Sequence, residues 1–131
     1  MKRPWRLTTA VCLAACLAAP AGAETIQPVV QQGLSNAAGK SFTAATVDFA
    51  PGERAAPHRH GQAFVFAYVL AGAVRSQLEG QSARVYRAGD SWSEPPGSHH
   101  LLTENASATE PARLLAIFVA DTGAALKTDD R

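Results

Sequence analysis

From residue 41 onwards, apolar and polar side chains alternate in short runs, and glycine or proline interrupts the runs at close intervals. A period of two marks half-buried strands, because successive side chains of an extended chain leave opposite faces. Ser41–Phe49 alternates and stops at Pro51-Gly52. Phe64–Leu70 is the strongest strand, with Phe64, Phe66, Tyr68 and Leu70 on one side and the smaller Val65, Ala67 and Val69 on the other. The bulky side suits sheet packing or a subunit interface, and the small side suits a barrel interior with room for a small molecule. Ala73–Leu78, Ala83–Tyr86, Ser91–Glu94, His99–Thr103 and Arg113–Val119 follow, punctuated by Glu79-Gly80, Gly89-Asp90 and Pro95-Pro96-Gly97. Residues 24–40 are polar and mixed and read as an arm, in which Val29-Val30 can pair as an edge strand. Residues 121–131 read as a C-terminal tail whose acidic end, Thr128–Arg131, is expected to fray. Seven or eight short strands without a 3.6-residue period predict an all-β sandwich or barrel over 41–120, and exclude a βαβ fold.

The first 23 residues have a different pattern. Lys2, Arg3 and Arg6 precede an apolar stretch from Leu7 to Ala19, and Pro20 leads into Ala21-Gly22-Ala23. These are the three parts of a secretory signal peptide, cleaved most simply between Ala23 and Glu24. The stretch of about 13 apolar residues is short for a bilayer span, which needs roughly 20. The expected destination is the periplasm or the exterior. Leu13-Ala14-Ala15-Cys16 also resembles a lipobox, which gives the alternative of a lipid anchor at Cys16.

Charge and cysteine content narrow the function classes. The chain of 131 residues has room for one domain. Three of its 12 basic residues lie in the first six positions, so removal of the signal leaves more acidic than basic side chains. That balance disfavours a nucleic-acid binder. Cleavage after Ala23 removes both cysteines, and lipidation would occupy Cys16, so a disulfide framework, a thiol nucleophile and a cysteine-rich zinc site are excluded.

The candidate chemistry lies in the histidines, which fall in two groups, His58/His60 and His99/His100. In an extended segment His58 and His60 point to one side, with Cα atoms roughly 6–7 Å apart, a spacing from which two imidazoles can converge on one ion. Arg59 between them points away. A third imidazole from another strand can join them, and His100, beyond the Pro95-Pro96-Gly97 turn, is the better candidate. His99 then faces the opposite way in a structural or supporting role. Gln62 is the nearest oxygen donor in that region. Glu94, close to the same turn, is a candidate general base, hydrogen-bond partner of an imidazole, or ligand. Trp92 is a candidate for the cavity mouth.

Gly52-Glu53-Arg54-Ala55-Ala56-Pro57-His58-Arg59-His60, running on to Gly72, resembles the first cupin motif, G-x5-H-x-H-x3,4-E-x6-G. Gly89–His100 followed by Asn105 resembles the second, G-x5-P-x-G-x2-H-x3-N. The resemblance implies a small single-domain cupin, a double-stranded β-helix or jelly-roll barrel of six to eight strands, often dimeric, with a metal near its mouth held by His58, His60 and His100. Two departures stand out. The family's glutamate belongs near position 64 or 65, where this chain has Phe64 and Val65, and Asn105 lies one residue beyond the usual asparagine. Without that carboxylate the ligands are three neutral imidazoles, which suit a divalent transition metal such as iron, manganese, nickel, zinc or copper. The resulting expectation is a mononuclear metal-dependent oxidoreductase of dioxygenase type acting on a small organic ligand. The alternatives are a non-catalytic binding module for a ligand or metal, and a metal-dependent isomerase or lyase.

Overall fold

The computed structural model describes residues 23–131; positions 1–22 of the expected signal peptide, with Cys12 and Cys16, lie outside the described residues. The described residues form strands and turns, and none of their segments is a helix long and apolar enough to cross a membrane. The strands are β1 (Thr25–Gly33), β2 (Lys40–Phe49), β3 (Arg54–Ala55), β4 (His58–Arg59), β5 (Phe64–Ala71), β6 (Ala73–Leu78), β7 (Arg84–Arg87), β8 (Ser91–Glu94), β9 (His99–Asn105), β10 (Ala112–Asp121) and β11 (Thr128–Asp129). They make two antiparallel sheets, one in the order β1-β2-β10-β5-β8 and the other β11-β4-β9-β6-β7, with β3 added beside β9.

The small side of β5 does face inward. Val65, Ala67 and Val69 are buried, whereas Phe64, Tyr68 and Leu70 are exposed on the outer surface. Phe49 of β2, Ala55 of β3, Val69 of β5, Val74 of β6 and Leu114 of β10 form one apolar cluster, so both sheets contribute to the core. Gly72 closes the turn between β5 and β6 at φ +72°, and a Cβ there would stand 2.4 Å from the Pro111 carbonyl oxygen. Both the backbone angle and the close approach call for glycine. Asn105 is buried despite its shifted position, and its amide donates to the carbonyls of Ala50 (3.1 Å) and Glu110 (2.7 Å).

The two ends of the described chain fare differently: the edge strand expected as one form of residues 24–40 is present, whereas the tail departs from its expectation. The arm is a full edge strand, with Thr25 to Gly33 paired along β2 and a bulge near Val29. The tail is not frayed at residues 128–130: Thr128 and Asp129 pair with Arg59 and His58, and the Asp130 N–H donates to the Pro57 carbonyl at 2.9 Å. A polar tail was expected to stay in water, but here the open edge of β4 offers unpaired backbone groups that the tail satisfies.

Candidate metal centre

β4 and β9 bring the histidines together. His58 and His100 are direct cross-strand partners, as are Arg59 and His99. Side chains alternate along β4, so His58 and His60 are buried and Arg59 is exposed. The same alternation buries His100 and turns His99 outward, where its Nε2 meets Asp130 Oδ2 at 2.6 Å. His58, His60 and His100 each offer one ring nitrogen, and these atoms lie within 4.8 Å of one another.

Backbone carbonyls fix the first two rings. His58 Nδ1 stands 2.7 Å from the Ala56 carbonyl oxygen, and His60 Nδ1 stands 2.5 Å from that of Leu126. A carbonyl only accepts, so both Nδ1 atoms donate, and the neutral rings present Nε2 lone pairs. Those two Nε2 atoms face each other at 3.2 Å. Two acceptors at that distance repel unless a cation is shared between them. A proton is a poor candidate near neutral pH, because burial lowers the His58 pKa to about 4, against the opposing effect of its Ala56 hydrogen bond, and burial lowers His60 as well. The donor set therefore fits a divalent transition-metal ion, which takes neutral imidazole nitrogens as ligands.

His100 is held from the other side. Its Nε2 is 2.8 Å from both Ser76 Oγ and Thr103 Oγ1, and its Nδ1 has no hydrogen-bond partner. That Nδ1 lies 3.0 Å from Glu94 Oε1, while Glu94 Oε2 is 3.7 Å from His60 Nε2 and is likewise unpartnered. Glu94 is only 2% exposed. Its Oε1 accepts from the Trp92 indole N–H at 3.1 Å. Burial pushes this carboxyl up, but His100, His60 and Trp92 together outweigh it and hold the group below its ordinary value. The carboxylate stays ionised among the imidazoles, and its negative charge favours a cation held by the three rings.

The position of Glu94 bears on the missing glutamate. Val65 is one of the two positions, with Phe64, near which the family resemblance expects that residue, and its cross-strand partner on β8 is Glu94. A carboxylate thus enters the chamber from the neighbouring strand. Gln62 does not enter it. The chain turns at Gly61 (φ +57°), tied by the Gly97 N–H to the Gly61 carbonyl at 2.8 Å, and Gln62 is left exposed beside Gly97. The expectation that Gln62 supplies an oxygen ligand is corrected accordingly.

His58, His60, His100 and Glu94 line a cavity of about 60 Å³, enough for an ion and a very small ligand or a few waters. Its other walls are largely apolar and include Val47, Phe49, Val65, Leu114 and Phe118, with Trp92 also on the lining. Phe118 packs edge-on against His60, with ring centroids 5.3 Å apart. Glu24 and Lys127 also line it and pair with each other at 2.9 Å. Sequence reasoning missed the Ser76 and Thr103 hydroxyls, the Leu126 carbonyl, and the Glu24–Lys127 pair. No local motif announces any of them, because each depends on long-range pairing.

A family model described as the cupin domain matches residues 45–118, more than half of the chain. Among solved structures, the DMSP lyase DddQ from Ruegeria pomeroyi is 25% identical with a TM-score of 0.59, covering 67% of this chain and 42% of that one. A recombinant oxalate oxidase in complex with glycolate is also 25% identical, with a TM-score of 0.59 and coverage of 77% and 52%. An uncharacterized conserved protein with a double-stranded β-helix domain from Klebsiella pneumoniae is 19% identical with a TM-score of 0.64, covering 84% of this chain and 87% of that one. This chain thus spans about half, or less, of the lyase and oxidase chains. No curated protein sequence matches it.

Proposed function

The chain belongs to the cupin family, and within it we propose a mononuclear metal-dependent oxidoreductase acting on a small organic molecule. The observation that carries the metal centre is the pair of His58 and His60 Nε2 atoms facing each other at 3.2 Å, with both Nδ1 atoms committed to carbonyls. His58, His60 and His100 would hold the ion, which when bound supplies Lewis-acid and, for iron, manganese or copper, redox chemistry. The protein's own residues do the rest. Glu94 Oε2, buried and unpartnered, is placed to take a proton from a molecule in the chamber, and the Trp92 N–H on Oε1 fixes its orientation. Phe118, Val47 and Leu114 keep the chamber apolar and limit the water around the reacting groups. The cavity volume restricts the substrate to a few heavy atoms within the chamber itself.

A lyase is the second reading, favoured by the same unpartnered Glu94 oxygen, since an elimination needs a base beside a polarised substrate. The likeness to both a lyase and an oxidase is compatible with either reading. Export is also part of the proposal. Cleavage after Ala23 would leave Glu24, the partner of Lys127, as the first residue. The exposed Phe64, Tyr68 and Leu70 on the outer sheet favour a homodimer.

The deciding experiment is elemental analysis of protein purified without a metal-affinity tag or chelator, beside His58→Ala and His100→Ala. Near-stoichiometric metal that disappears in both variants is expected. Substrate-dependent oxygen uptake across a panel of small carboxylates and alcohols then separates the oxidoreductase from the lyase, which turns over without oxygen. Less than a tenth of an equivalent, unchanged in the variants and not restored by added metal, would remove the metalloenzyme.

A further inference from the structure

β4, which carries His58 and leads directly into His60, is two residues long and pairs with β9 on one side only through His58↔His100 and Arg59↔His99. A two-residue strand left at a sheet edge frays, and a ligand on it loses its direction. The C-terminal segment changes this. β11 pairs Thr128 with Arg59 and Asp129 with His58 and so moves β4 into the interior of the sheet.

The same segment contacts the imidazoles and their strand at further points. The Leu126 carbonyl accepts from His60 Nδ1 across 66 positions of sequence. Its side chain packs against the apolar cluster of Ala63, Val65 and Ala120. Asp130 Oδ2 meets His99 Nε2 at 2.6 Å, and the Asp130 N–H donates to the carbonyl of Pro57, the residue before His58. Between these anchors Lys127 lines the chamber. A carbonyl at Nδ1 sets the tautomer and the ring orientation, so that Nε2 is the atom offered to a cation.

We propose that Leu126–Asp130 is a positioning strap of the metal centre, which orients His60 through the Leu126 carbonyl and keeps β4 from becoming an edge. The inference rests on reading His58, His60 and His100 as metal ligands, but its consequence for His60 exists without metal as well. For the carbonyl contact alone His58 serves as an internal control, because its own Nδ1 acceptor, the Ala56 carbonyl two residues away, lies outside the strap although its strand loses the same neighbour.

The test compares the full protein with a chain ending at Ala125, and with Asp130→Ala and Asp130→Asn. Two quantities are read: cobalt(II) affinity by chelator competition, and the imidazole nitrogen and proton resonances of the metal-free proteins. In the full protein both His58 and His60 should show a protonated Nδ1. Ending the chain at Ala125 should abolish that signature at His60, preserve it at His58, and weaken cobalt binding about 10- to 100-fold, the usual cost of losing an outer partner of a ligating histidine. Asp130→Ala should weaken cobalt binding several-fold, with Asp130→Asn closer to wild type because its amide oxygen still accepts from His99. If the shortened chain does not fold, the Asp130 pair decides alone, and equal affinities in Asp130→Ala and wild type overturn the strap. Affinity within twofold of wild type in a folded shortened chain, with an unchanged His60 tautomer, overturns it as well. A full protein that binds no cobalt would instead defeat the metal reading, and the His60 tautomer would still judge the strap.

Discussion

The imidazoles of the cluster are fixed by two kinds of partner, and the two differ in how they respond to substitution. His58 and His60 rest on backbone carbonyls, which no side-chain change removes. His100 rests on two hydroxyls, Ser76 and Thr103, both 2.8 Å from its Nε2. Either hydroxyl alone can hold the ring, so Ser76→Ala and Thr103→Ala should each weaken metal binding only a few-fold. The double variant should lose about 10- to 100-fold, more than the product of the two single effects. Titration with cobalt(II) against a chelator measures this; additive single effects would mean that the hydroxyls act independently. Glu94 supports a separate prediction. Glu94→Gln keeps the volume and an oxygen for the Trp92 N–H but removes the negative charge and the proton acceptor. Turnover should fall by about 10²–10⁴-fold, the usual range for a general base, with the fold intact. An active Glu94→Gln protein would return Glu94 to a purely structural role.

The strands that carry the site were legible in the sequence wherever alternation was long enough to be seen. Phe64–Ala71 has the predicted faces because eight residues suffice for a period of two to show, and Ala73–Leu78 alternates in burial over its six. Two-residue strands show no period, so β3, β4 and β11 were invisible as strands, although His58 and His60 were visible as chemistry. The spacing of His58, Arg59 and His60 indicated a shared direction, and the turn before His99 selected His100. The sequence could not show that Val65 and Glu94 are cross-strand partners, since that register is set by pairing 29 positions apart. Gln62 looked like a donor only because it is near in sequence, and the turn at Gly61 carries it outside. The turn joining β5 and β6 belongs to this scale as well. Gly72→Ala meets both a positive φ and a backbone oxygen 2.4 Å from the new Cβ. It should cost on the order of 2–4 kcal/mol in urea unfolding, above the roughly 1–2 kcal/mol of the backbone angle alone. A loss below about 1 kcal/mol would show that the turn and the Pro111 segment separate easily.

At the scale of the whole molecule, the core is built largely of small side chains. Ala44, Ala45, Ala55, Ala63, Ala67, Ala112, Ala116 and Ala120 are all buried, and Phe49 is the one buried aromatic residue among the described residues. Into this modest core the fold places three imidazoles and a carboxylate, which oppose folding unless each is satisfied. Stability should therefore depend on the site, and in a definite direction with pH. The buried His58 titrates near 4, whereas an unfolded histidine titrates near 6.5. Between those values the unfolded chain binds the proton and the folded chain does not, so acid favours unfolding. Metal-free protein should be steady above about pH 7 and lose stability as pH falls from 6.5 towards 4, by up to about 3 kcal/mol from His58 alone. His60 is lowered too and adds to the loss. Glu94, also lowered, extends it below the ordinary carboxylate value, where the unfolded group takes its proton first. A bound divalent ion stabilises the folded state by about 2.7 kcal/mol at one hundred times its dissociation constant, and acid removes that contribution as the ligands protonate. Urea midpoints of chelator-treated and zinc-saturated protein at pH 7.5, 6.0 and 5.0 should thus converge as pH falls, the metal-free curve declining from the first step. A metal-free protein equally stable at pH 7.5 and 5.0 would mean that the histidines are not buried as neutral rings, and the case for a cation between His58 and His60 would go with them.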